Sequence, residues 1–458
     1  MEPREHLSPR VIIAGTSSGV GKTTIATAIM ASLAAKGLRV TPAKVGPDFI
    51  DPTYHELACG RRGTNLDTFL LGQHAVRDAL LKASENSDIS VIEGVMGLFD
   101  GSLMTRPDNT IGLDPRILPG STAEVAALTE TPVILVVDAT STSSSLAATV
   151  EGFRNYSSQV KVMGVIINNY RTASHLELIK GGFKHLDLEI LGAIPKGAFT
   201  SWNSRHLGLV PAVEDPETIR RSINVLVTEI GDRLDSEKII QIAHSATPLR
   251  GNLRAKVGLP PTRTVIAVAA GAAFSFVYPE NVDALKQAGA EIRFFDPLND
   301  QKLPGGTKGL YIGGGFPEIF AERLSKNSTL SVEVSSAVRA GLPTWAECGG
   351  LIWLADYVGQ VPMTAALPLR IVMTSRLTLG YVSATSRVNN CIAETGERLY
   401  GHEFHYSESS PRGDAVTFTT RNGTKREGFA SSSLFASYLH VHLGSQKHLA
   451  ERFVSCCV

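Results

Sequence analysis

Apolar and polar positions fall in alternating blocks along the first 235 residues. Short, mostly apolar runs, RVIIAG (10–15), RVTPAKVG (39–46), ISVIEGVMG (89–97), TPVILVVDA (131–139), VKVMGVIINN (160–169) and LEILGAIPK (188–196), are separated by longer stretches. Such runs read as strands buried on both faces, and residues 22–36, 121–130 and 143–155 read as helices between them. Strand and helix in regular succession predict a parallel, doubly wound α/β sheet.

The pattern loosens between 236 and 263, where SATPLRGNLRAKVGLPPTRT is rich in Pro, Gly and basic residues. A linker is expected there, between a domain at 1–235 and a second at 264–458. The second opens with TVIAVAAG, EIRFFDP, GLYIGGG and PTWAEC, again α/β in pattern. After residue 370 come strand-like segments with fewer helices, RIVMTSRLTLGYV, RLYGHEFHYS and DAVTFTTR. No short-period repeat is visible.

Composition narrows the function classes. With 458 residues, two or three domains are expected. Lys+Arg and Asp+Glu both number 44, so charge gives no reason to expect nucleic acid or an anionic membrane as partner. No apolar run approaches the roughly 20 residues that span a bilayer. The opening MEPREHLSPR has no signal-peptide pattern, so the cytoplasm is the expected location. Five cysteines without paired spacing predict neither a disulfide framework nor a zinc site, and SCCV lacks the cysteine a prenylation box needs.

Two motifs carry chemistry. The strand 11–14 runs into GTSSGVGKTT and then a helix, the context of a phosphate-binding loop whose amides face phosphate oxygens. Thr16, Gly19, Gly21, Lys22, Thr23 and Thr24 are the expected nucleotide contacts. Lys22 would neutralise the β/γ-phosphates and the Thr23 hydroxyl would ligate Mg²⁺. Thr16 stands where the strict pattern has glycine, and Ser17 where partition-type ATPases have a second lysine. The loop looks like that of dethiobiotin synthetase and its relatives. KVGPDFIDP and VIEGVMGLFDG bring Asp48, Asp51, Glu93 and Asp100 to strand ends, where ligands bind in doubly wound sheets. Thr23, Asp48 and Glu93 make a set of hard oxygens suited to Mg²⁺; solvated loop acids are the plainer alternative for each alone. Asn168 is placed either to read an adenine edge or to shape a turn.

The second motif is PTWAECGGLIWLADYV. A strand ends at Cys348, and GGLIWLADYV reads as the helix that follows, an elbow that exposes a thiol and favours thiolate. YIGGGFPE supplies glycine amides for an oxyanion hole at Gly314 and Gly315, with Gly349 after the cysteine. FASYLHVHLG places His440 as a candidate general base.

Taken together, Cys348, the glycine loop and the late histidine resemble a class I glutamine amidotransferase. Ala346 stands where that class has glycine, and His442 where its triad has glutamate, which suggests a Cys348–His440 dyad that is weak without the partner domain. Over nearly the whole chain, GTSSGVGKTT, KVGPDFIDP, VIEGVMGLFDG, FSFVYPEN, YIGGGFPE, AECGGL, GHEFHYS and SYLHVHLG are similar to the corrin a,c-diamide synthases of cobalamin biosynthesis. The resemblance implies a ligase that uses ATP, Mg²⁺ and glutamine to amidate the a and c acetates of cobyrinate or hydrogenobyrinate. It links Asp48 and Glu93 to ATP–Mg²⁺, and Asp51 and Asp100 to the acyl phosphate or its attack. GHEFHYS belongs near the glutaminase site or is a buried polar strand. Another tetrapyrrole, such as nickel sirohydrochlorin, and a cobyric acid synthase-like amidation are alternatives, and a regulatory P-loop ATPase is the alternative of a different class. A homodimer is left open.

Overall fold

The apolar runs of the first half become strands: Arg10–Gly15, Val40–Val45 and Ile89–Glu93 are covered at every position, whereas Val162–Tyr170 and Glu189–Pro195 are only partly buried. A computed structural model describes residues 4–6, 9–199, 202, 204–205, 208–251 and 260–458. It divides into two compact units, Met1–Ala255 and Lys256–Val458.

In the first unit a seven-stranded parallel sheet runs in the order Thr64–Leu66, Val40–Val45, Ile89–Glu93, Arg10–Gly15, Val133–Asp138, Val162–Tyr170, Glu189–Pro195. Arg10–Gly15 lies centrally, where the order reverses, and its loop opens at the carboxyl edge, as doubly wound sheets require of a ligand site. The helix Lys22–Ala35 follows at once and is buried over most of its length. The predicted helices at 121–130 and 143–155 are present as Thr122–Thr129 and Ser145–Asn155. Ser121 caps the first of them by accepting the Glu124 amide at 3.0 Å.

The stretch expected as linker is structured at its start. Ser236–His244 is a helix with Ile239, Ile242 and Ala243 buried, capped by the Asp235 side chain, and Leu249–Gly251 pairs with Arg4–His6. Its apolar face needs burial, which the Pro and Gly content downstream masked. Within the expected linker, 252–259 lies outside the described residues.

The second unit holds a six-stranded sheet in the order Ala290–Phe295, Thr264–Ala269, Thr307–Ile312, Thr344–Glu347, Leu434–Ser437, Phe429–Ser431, parallel except for the last strand. The strand-rich segment after 370 forms a separate mixed sheet, led by the hairpin of Arg370–Ser386 with Arg398–Ser410 and joined by His440–Val441. The helix expected over 349–358 is shorter, Gly349–Leu354. All six residues are buried, and fully covering Leu351 and Leu354 stabilises by roughly 1.5–3 kcal/mol each. Beyond them Ala355 is extended, and Tyr357–Val358 pairs with Arg370–Ile371 and with Val361–Pro362. Tertiary pairing ends the helix where the apolar pattern would have let it continue.

Candidate functional site

Each unit carries one cluster of chemistry. In the first, Gly21 holds φ at 97°, and a Cβ there would meet Asn168 Nδ2 at 2.4 Å. Only glycine lets the loop close against that amide. Asn168 donates to the Val20 carbonyl (2.9 Å), so it fastens the loop backbone; of its two expected roles, the structure displays the structural one. The Lys22 ammonium arches back to the Ser17 carbonyl (2.9 Å). Burial, then the nearby Lys44 charge, pushes the Lys22 pKa down to about 8. Thr16 donates its amide to Val136 O (3.2 Å), and Thr24 Oγ1 accepts from Trp202 Nε1 (3.2 Å). Gly19 also has a left-handed backbone.

Below the loop the acids converge, though not as the expected trio. Thr23 Oγ1 lies 2.6 Å from Glu93 Oε1 and 3.3 Å from Asp51 Oδ2. Asp51, rather than Asp48, completes the oxygen group. Asp48 Oδ1 instead accepts the amides of Ile50 and Asp51 (2.8 and 3.0 Å), shaping the turn. Asp100 likewise accepts the Gly97 amide at 2.9 Å, and Gly97 lies against the Thr16 carbonyl. So Asp100 fixes the turn that packs against the phosphate loop.

Two residues of this cluster escaped the sequence reading. Lys44 Nζ donates to Asp51 (2.7 Å) and Glu93 (2.8 Å), and His55 Nε2 lies 2.8 Å from Glu93 Oε2. Burial opposes the Lys44 charge, but Asp51 and Glu93 outweigh it and hold the ammonium above its ordinary range. Burial also opposes ionisation of Glu93, yet Lys44 and His55 keep it well below the usual carboxylate range. Asp51, sharing the same lysine, is pushed up by burial and by Asp48. A lysine in a strand otherwise free of charge, VTPAKV, was the available signal.

Among the described residues, no three His, Cys, Asp or Glu side chains gather as a metal shell. The hydroxyl of Thr23 with the carboxylates of Asp51 and Glu93 nevertheless offers the hard oxygens that fit Mg²⁺, an ion that keeps most of its water.

In the second unit Cys348 has φ 47° and ψ −95°, a conformation costing on the order of 1–3 kcal/mol that packing must hold. Its amide donates to Ser437 O (2.7 Å). Its thiol lies 3.7 Å from the Phe404 carbonyl, which puts GHEFHYS at the site. The expected thiolate does not follow from the elbow alone. Burial, then the Glu318 charge, pushes the thiol up against the pull of the Gly349 amide, so a base must take its proton.

His440 is buried and its pKa is pushed well below the ordinary value by burial and then by His402, leaving a neutral imidazole. The Gly314–Gly315 turn packs against His440 and against Gly349. A Cβ on Gly314 would lie 2.3 Å from His440 Cε1, and one on Gly349 would lie 2.9 Å from the Gly315 amide. Gly314 and Phe276 exchange backbone hydrogen bonds at 3.0 Å in both directions. The Gly314 amide is therefore engaged within the turn, unlike the oxyanion donor expected of it. His442, at the usual triad-acid position, accepts the Gly444 amide on Nδ1 (3.0 Å) and sets Nε2 3.7 Å from Glu280 Oε2.

The two families whose patterns match are the CobQ/CobB/MinD/ParA nucleotide binding domain, over residues 11–209, and the CobB/CobQ-like glutamine amidotransferase domain, over 265–448. The chain is similar end to end to known proteins. It is 39% identical to the hydrogenobyrinate a,c-diamide synthase of Streptomyces coelicolor, covering 98% of this chain and 97% of that one. The protein of that name from Thermobifida fusca is also 39% identical, with coverage of 98% and 96%. The cobyrinate a,c-diamide synthase of Caldanaerobacter subterraneus is 37% identical, with coverage of 97% and 98%. No described helix is long and apolar enough to cross a membrane.

Proposed function

Because this chain belongs to the cobyrinate and hydrogenobyrinate a,c-diamide synthase family, we propose residue roles for a glutamine-dependent ligase of cobalamin biosynthesis. The protein amidates acetate side chains of a corrinoid acid, using the nucleotide-binding and amidotransferase domains together. A carboxylate is a poor acyl donor, so the γ-phosphoryl group of ATP passes to its oxygen and gives an acyl phosphate. Ammonia then attacks the carbonyl carbon and phosphate leaves.

In the first unit, Lys22 and the loop amides hold the triphosphate, and Lys44 keeps Glu93 ionised beside Thr23. Mg²⁺, when bound, neutralises phosphate charge; Thr23 with Asp51 and Glu93 would hold it. Asp48 and Asp100 hold the turns that flank the phosphate loop. In the second unit, His440 takes the Cys348 proton, and the thiolate attacks the glutamine carboxamide. A glutamyl thioester forms, ammonia leaves, and water releases glutamate. The amides of Gly315 and Gly349 support the developing oxyanion.

The observation that carries this reading is one chain holding both a lysine-arched phosphate loop and a nucleophile elbow in left-handed backbone. The test supplies purified protein with ATP, Mg²⁺ and a corrinoid a,c-diacid, with glutamine or ammonium as nitrogen source. Two amidations, each consuming one ATP, are expected from either source. ATP hydrolysis without an amide product would favour the regulatory ATPase.

A further inference from the structure

A general base normally needs a partner that fixes its ring, commonly a carboxylate. Here the position two residues after His440 is filled by His442, whose ring nitrogens face the Gly444 amide and Glu280. The ring of His440 is constrained from elsewhere. Antiparallel pairing sets His402 directly opposite His440, and the two imidazoles stack with centroids 4.9 Å apart and planes within 13°. Gly314 forms a second wall, close enough that a Cβ would collide with Cε1. His402 is itself fixed, because the Tyr278 hydroxyl lies 2.9 Å from its Nε2. Tyr278 is buried and packs its ring against His442 at 4.6 Å. The ring of the base is thus held flat by a stacked neighbour and a glycine backbone.

We propose that His402, locked by Tyr278, is the positioning residue for the His440 base and fixes its ring by stacking. This rests on the assignment of Cys348 and His440 to glutamine hydrolysis. What His402 supplies is a flat ring in a fixed plane. It neither touches glutamine nor moves a proton.

The test compares full-length His402→Ala, His402→Phe, Tyr278→Phe and Cys348→Ala proteins, with ATP and corrinoid acid present. Glutaminase kcat and KM, ammonia-supported amidation and Tm are recorded for each. His402→Ala should lower kcat about 10- to 100-fold with KM for glutamine within about threefold of the parent, as expected for lost orientation. His402→Phe restores a flat ring and should return kcat to within about fivefold of the parent; Tyr278→Phe should fall between the two. Three outcomes overturn the proposal: an unchanged His402→Ala, a change confined to KM, or equal impairment in His402→Phe and His402→Ala. If His402→Ala does not fold, as Tm and ammonia-supported activity would reveal, His402→Phe decides, and a loss beyond about tenfold in it refutes stacking. Glutamine hydrolysis surviving in Cys348→Ala would instead sink the assignment beneath, whatever position 402 shows.

Discussion

Glu347, the residue before Cys348, accepts the backbone amide of Val441, the residue after His440, at 3.3 Å. Its other oxygen meets the Tyr311 hydroxyl at 3.2 Å. One buried carboxyl thereby ties the strand that ends at Cys348 to the strand that begins at His440. Cys348 and His440 are thus tied together through their chain neighbours.

That carboxyl should make stability depend on pH. Burial pushes Glu347 up to about 8, and buried Glu427 up to about 7. Both hold their protons more tightly folded than unfolded. Stability should therefore fall as pH rises from about 5 to about 8, at up to about 1 kcal/mol per pH unit for each group. Glu347→Gln should flatten that slope while Glu427 keeps a remnant. Urea unfolding at several pH values checks this, and an unaltered slope in the variant would contradict it.

Cys348→Ala should lose glutamine-supported amidation while high ammonium still sustains it, because carboxylate activation lies in the first unit. A folded variant inactive with both nitrogen sources would show that Cys348 does more than release ammonia.

Lys22 and Lys44 should differ in a way activity alone hides. Lys22→Ala and Lys44→Ala should each abolish amidation from either nitrogen source. Only Lys44→Ala removes the cation shared by Glu93 and Asp51 and leaves buried Glu93 with His55 alone, at a cost of up to about 3–5 kcal/mol. Burial pushes the Lys22 pKa down to about 8, so its charge opposes folding at neutral pH, and its removal should not lower the unfolding midpoint. Equal midpoints for the two variants would refute the buried pair as a stabilising unit.

Without a triad acid, basal glutaminase activity should be low and should rise when ATP and corrinoid acid are bound. Comparing hydrolysis with and without them checks this; high and equal rates would end the coupling idea. His442→Glu should not restore a conventional triad, since the new carboxylate would be buried near Glu280, and the expected outcome is lower stability. His440→Ala should remove glutamine-dependent activity whatever residue occupies 442.

The parts legible in the sequence were those where one local rule decides. Strand, glycine turn and GKTT locate Lys22 and Thr23, and an apolar strand ending at Cys-Gly-Gly locates the elbow. What escaped depends on which elements become neighbours. Lys44 and His55 matter because their strand and helix face Glu93, and His402 because strand pairing sets it opposite His440. Asp48 and Asp51 are three residues apart on one turn, and only the fold decides that Asp51 reaches Thr23 while Asp48 caps the turn. Gly314 looked like an oxyanion donor until Phe276 claimed its amide.

The backbone at residue 348 sets activity against stability at a single position. With φ at 47° and ψ at −95°, glycine would rest there more easily than any residue with a side chain. A lineage fed by free ammonia, with no selection on glutamine use, would be expected to drift toward glycine at this site and gain stability as it did so. Cys348→Gly should accordingly unfold later than Cys348→Ala, by about 1 kcal/mol. Cysteine at 348 is held against the conformational preference of its own chain, and the chemistry of the thiol is what selection would have to retain.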